Sequence, residues 1–159
     1  MSYYWEDIDL GFTETFGPIA VDREEVLAFA RRYDPQPFHL DEQAAAQTHF
    51  GRLAASGWHT CAMMMGAMVE HWQATPGWQE SSLGAIGIDE LRWIKPVRPG
   101  DRLRARVCVI EARRSQSKPD RGIVRERQEV INQEGDTVMS VTSMGMYKCR
   151  SSSSEGDQG

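Results

Sequence analysis

What this 159-residue chain lacks narrows the field before any motif is read. No apolar run is long enough to cross a bilayer, so no membrane partner is expected. Glu6, Asp7 and Asp9 give the N-terminus the wrong sign for a secretory leader. Cysteine is sparse: Cys61, Cys108 and Cys149 are odd in number, scattered, and form no CxxC pair. That argues against a disulfide framework or a zinc site and for reduced thiols in the cytoplasm. His49, His59 and His71 belong to no HExxH and have no cysteine partners, so no metal is expected. Basic charge is short as well. With a net charge of −5 there is no basic excess of the kind a nucleic-acid partner requires. Nor is there an internal repeat or a second domain.

What is present is a 40% hydrophobic, 26% charged chain, the balance of a globular protein with room for one real core. Its charge is uneven. Residues 1–50 carry 3 basic and 10 acidic side chains, whereas residues 51–150 carry 15 and 11. The arginines concentrate between Arg92 and Arg127, which suits a small anionic ligand, although most of them read as solvated strand residues. Residues 1–150 form the expected domain, and the polar, low-complexity stretch 151–159 is expected to be a disordered tail.

Residues 1–21 mix aromatics with turn residues and read as an irregular lead-in with short extended pieces. Asp22-Arg23-Glu24-Glu25 is a capping signature, and Val26, Leu27, Phe29, Ala30 and Tyr33 then recur at helical spacing over 23–33. The segment Tyr33-Asp34-Pro35-Gln36-Pro37-Phe38-His39-Leu40-Asp41 ends that helix. Pro35 and Pro37 lack amide donors and disfavour the α conformation at Asp34 and Gln36. A carboxylate and an imidazole thus sit five residues apart on a stiffened stretch, which reads as a site. Asp41 reads as the cap of a short helix through Ala44–Ala46. A third helical stretch, 57–73, is apolar almost all round (Trp58, Met63, Met64, Met65, Met68, Trp72 among others), so it is expected inside the protein, its methionines mostly core. Four strand patterns follow at 83–94, 101–112, 122–131 and 137–148. The second alternates Leu103, Ala105, Val107 and Val109 with Arg102, Arg104 and Arg106. Helices first and antiparallel strands after give an α+β class, one sheet covering one buried helix.

Asp34-x-x-Pro37-x-His39-x-Asp41, the following Phe50, Ser56-Gly57 at the helix head, and Pro96-Val97-Arg98-Pro99-Gly100-Asp101 together resemble the MaoC-like dehydratases, which include the (R)-specific enoyl-CoA hydratases. The resemblance covers about residues 10–148. It implies a single hotdog domain, a curved antiparallel sheet wrapped around a long central helix, assembled as a homodimer or larger. It implies reversible addition of water to a trans-2-enoyl-CoA, giving a 3-hydroxyacyl-CoA, in fatty acid metabolism and without a cofactor. The substrate partner is then an acyl-CoA or acyl-carrier-protein thioester. Asp34 and His39 would share the proton work, while Ser56 and Gly57, at the positive end of the helix, would serve the thioester oxygen. Arg92, Lys95 and Arg98 are candidates for the CoA phosphates. Three positions depart from the family pattern: Gln36 where Asn is common, Ser56 in place of His, and Met65 where (R)-specific hydratases place a serine on the central helix. Two other readings stand beside this one. A thioesterase of the same fold would use a helix carboxylate, for which Glu70 is the marker, and a non-catalytic acyl-CoA-binding module would need neither.

Overall fold

Period-two alternation decides which way the sheet faces. In strand β3 (Arg102–Arg114), Leu103, Ala105, Val107 and Val109 are buried while Arg102, Arg104 and Arg106 face solvent. The structure, a computed structural model, describes residues 3–150, and the expected tail at 151–159 lies outside them. β4 (Arg121–Ile131), β5 (Thr137–Lys148), β2 (Ser82–Trp93) and β1 (Thr13–Ala20) complete one antiparallel sheet in the order β1-β3-β4-β5-β2. β1 and β2 are its edges.

The lead-in departs from expectation, because Thr13–Ala20 is a continuous strand paired with β3 from Thr13↔Cys108 to Ala20↔Arg102. Its pairing slips between Phe16 and Ile19, where Gly17 and Pro18 interrupt it. Proline is tolerated because the strand is an edge. The interruption hides the alternation that would have marked the strand.

Helix α1 (Arg23–Tyr33) starts where Asp22 accepts from the Glu25 amide at 3.0 Å and stops at Asp34, just before Pro35. Residues Pro37–His39 form a single 3₁₀ turn, and Asp41 caps α2 (Glu42–Ala46) by accepting from the Ala44 amide at 2.7 Å. The buried segment Leu53–Ser56 is then strung between neighbours, Ala54 N–H donating to the Phe38 carbonyl and Ala55 N–H to that of Val97. It delivers the chain to the central helix α3 (Gly57–Gln73), which ends before a left-handed Gly77 and the short α4 (Trp78–Ser81).

Met64 and Met68 of α3 pack against Leu103, Ala105, Val107, Val130, Val138, Met139 and Val141, so sheet and helix close one core in the hotdog arrangement. A fully buried methionine contributes about 1.5–3 kcal/mol. The helix is not enclosed on every side, however. Trp58, Ala62, Met65 and Gly66 are exposed, because a single sheet can cover only one side of a helix. The apolar character of the other side is therefore left open in the isolated chain.

Candidate active site

Two helix termini meet at the site. Asp34 is the C-terminal cap of α1 and Ser56 the N-terminal cap of α3, and the Ser56 hydroxyl donates to Asp34 Oδ2 at 2.7 Å. Gln36 Nε2 donates to the other oxygen, Oδ1, at 2.7 Å. Burial pushes the Asp34 carboxyl up. The two hydrogen bonds and the charge of His39 outweigh it, so the group is held below the ordinary carboxylate value.

His39 is buried, and its Nδ1 lies 2.6 Å from the Ala54 carbonyl oxygen. A carbonyl can only accept, so Nδ1 carries a proton and Nε2 is the nitrogen left free to exchange one. That nitrogen faces Asp34 Oδ2 at 3.3 Å. Carboxylate and imidazole are thus each fixed from behind, with their proton-handling atoms side by side. The 3₁₀ turn at Pro37–His39 brings them together over only five residues, and Ala54 and Ser56 lock them from across the fold.

Both face a cavity of about 460 Å³. Phe38, His49 and Phe50 form one wall, with Phe38 and Phe50 rings 5.1 Å apart. Ala55, Thr60, Val97 and Val138 form the floor, and Trp58, Trp93, Ile94 and Lys95 the rim. Gly57 lines it too. Its amide has no hydrogen-bond partner among the described residues and sits at the positive end of a 17-residue helix. A side chain at position 57 has no room, since a Cβ there would overlap the Trp93 indole.

The structure thus brings Asp34, His39, Ser56 and Gly57 together, but it gives Ser56 a different geometry from Gly57. The Ser56 hydroxyl is committed to Asp34 and accepts from the Trp58 amide at 3.3 Å, so it supports the carboxylate. The three basic residues separate. Lys95 stands at the cavity rim, paired with Asp136 at 2.8 Å. Arg92 is exposed and outside the cavity lining. Arg98 turns its guanidinium to the carbonyls of Phe50 and Arg52 at 2.6 and 2.7 Å, tying down the loop behind the aromatic wall. Met65 and Glu70 do not line this cavity, and Glu70 is exposed. Reading by spacing marked Gln36 only as a departure and missed its bond to Asp34. It missed Thr60 and Trp93 outright; Trp93 is the last residue of β2, with nothing local to signal that it meets Gly57.

Comparison with known proteins bears on the fold and the family. A family model described as the MaoC like domain matches residues 13–149. The solved structure of a MaoC-like dehydratase from Rhodospirillum rubrum superposes with a TM-score of 0.82 at 38% identity, covering 94% of this chain and 99% of that one. The A. caviae (R)-hydratase superposes with a TM-score of 0.66 at 27% identity, covering 90% and 98%. A 3-hydroxybutyryl-CoA dehydratase of Methylorubrum extorquens is 33% identical over 110 residues, 68% of this chain and 64% of that protein. The chain spans less than two thirds of the length of the curated relatives it matches.

Proposed function

Because the chain belongs to the MaoC-like domain family, we propose that it is an acyl-thioester hydratase/dehydratase that adds water reversibly across a trans-2-enoyl thioester. The observation carrying this reading is the dyad geometry: His39 Nε2 is free to exchange a proton and stands 3.3 Å from an Asp34 carboxylate held ionised by Gln36 and Ser56. A water in the cavity, in reach of both atoms, loses a proton to the dyad as its oxygen bonds to Cβ. The π pair moves to give an enolate, whose oxygen is met by the Gly57 amide. The dyad then returns a proton to Cα, so atoms and charge balance and no cofactor enters. Asp34 faces the imidazolium formed on the way and stabilises it. Lys95, at the rim, is the basic residue best placed for the CoA or carrier-protein phosphates.

The test is a panel of trans-2-enoyl-CoAs, following loss of the conjugated thioester. Wild type is expected to hydrate at least one of them. Asp34→Asn and His39→Ala are each expected to lose about 10²–10⁴-fold in kcat. Near-wild-type kcat in both variants would remove the dyad assignment. Binding of acyl-CoA without any turnover by wild type would make the chain a binding module instead.

A further inference from the structure

Apolar space runs along the groove between α3 and β2, but it is broken into two cavities that share no lining residue. The dyad cavity takes Gly57, Trp58 and Thr60 from the first turn of α3 and Trp93 from the end of β2. A second cavity, of about 230 Å³, takes Met65, Met68, Val69 and Trp72 from the far half of α3 and Gly84 and Ala85 from the start of β2. Trp93 stands at the break. Its indole lies on Gly57, packs edge-on against Trp58 with centroids 5.0 Å apart, and reaches the Cys61 side chain one helical turn on. Behind it the Cys61 sulfur touches that of Met139 at 3.5 Å, and Cys61 and Leu91 both pack on the core.

We propose that Trp93 is the end stop of the acyl site and restricts this protein to short acyl thioesters. This rests on the hydratase reading and deepens it. A thioester oxygen held at the Gly57 amide directs the acyl chain along the groove towards position 61. The indole covers the helix from Gly57 to Cys61, four residues or about 6 Å of axis, so a chain taking that direction meets the ring within its first few bonds. A longer tail meets Trp93 and has no apolar path to the second cavity. It must instead turn out of the groove, forfeiting about four-fold in affinity for every methylene not buried. The glycine at 57 and the tryptophan at 93 are coupled, since the ring can lie there only because position 57 has no Cβ.

The experiment compares wild type, Trp93→Ala and Trp93→Leu over trans-2-enoyl-CoAs from C4 to C12. Alongside it, the Kd of the matching saturated acyl-CoAs is measured by calorimetry. Wild-type kcat/KM is expected to peak at C4–C6, and Trp93→Ala to raise the C10 to C4 ratio by at least about ten-fold, four or more extra methylenes being accommodated. Trp93→Leu should fall between, and it keeps the comparison available if the alanine variant does not fold. A wild type indifferent to length from C4 to C12, or variants with an unchanged C10 to C4 ratio, would overturn the end stop while leaving the hydratase reading intact. A wild type that hydrates nothing would sink the hydratase reading. The saturated series would still judge Trp93 by whether long-chain affinity rises when the indole is removed.

Discussion

Asp34 is poised by two donors that come from different distances in the chain. Gln36 reaches it from two residues away and is exposed, whereas Ser56 comes from α3 and is fully buried. Each bond lowers the carboxyl pKa, so removing either lets it rise towards the ordinary value. On the hydratase reading the ionised form is the active one, and with a depressed folded-state pKa it is present above that pKa and lost as pH falls through it. Gln36→Ala should therefore move the acidic limb of the kcat/KM profile to higher pH with little change in stability. Ser56→Ala should move it the same way and also cost about 1 kcal/mol through loss of the helix cap. Acidic limbs that stay in place in both variants would mean the limb belongs to another group. On the hydratase reading Asp34 and His39 act as one unit, so their double mutant should be little worse than the poorer single. The proximity of Asp34 and His39 was legible from sequence because the two are local and prolines stiffen the stretch between them. Its supports were not: the Ala54 carbonyl and the Ser56 hydroxyl are positioned by tertiary packing, which no spacing rule reports.

At the level of elements, the aromatic wall depends on Arg98. One guanidinium donates to Phe50 and Arg52 while the Arg98 amide donates to Asp101 Oδ2 at 2.8 Å, so the turn before β3 is tied to the loop after α2. The fork geometry matters, since two carbonyls are engaged by different nitrogens. Arg98→Ala should destabilise the fold on the order of 1.5–3 kcal/mol. Arg98→Lys should recover only part of that, and both should raise KM as Phe50 loosens. A chemical-denaturation midpoint unchanged in Arg98→Ala would show the clamp to be idle. The sequence drew attention to Arg98 for its charge and offered it to a phosphate; the structure turns that charge inward, 48 residues back along the chain. Elements with clean periodicity were legible to within a residue or two, as with α1 at Arg23–Tyr33 and α3 at Gly57–Gln73. β1 was not, because the break at Gly17 and Pro18 falls in the middle of its eight residues.

On the scale of the whole molecule, the open side of α3 and the open edge of the sheet adjoin. Trp58 and Met65 of the helix, Ile86, Ile88 and Trp93 of β2, and Ile94 just beyond it are each 46–54% exposed. Isolated exposed apolar residues are ordinary, but six large ones on neighbouring elements form a patch that solvent does not favour. β2 has lost the alternation that β3 keeps, with consecutive residues exposed on both faces, and its outer edge offers unpaired amides and carbonyls. A second copy of the same chain, meeting it about a two-fold axis, would cover the helix side and pair the β2 edges at once. Such an arrangement would also wall the dyad cavity, because Trp58, Trp93 and Ile94 belong to both the patch and the rim. We therefore expect a homodimer, and expect activity to depend on it. Ile88→Glu and Met65→Glu lie on the patch but outside the dyad cavity, so each should shift the protein towards monomer by light scattering at micromolar concentration. Each should also lower kcat/KM in proportion to the dimer lost, with activity recovering as protein concentration rises. A wild-type monomer at that concentration, or a charged variant that stays dimeric, would show that this face is not the interface.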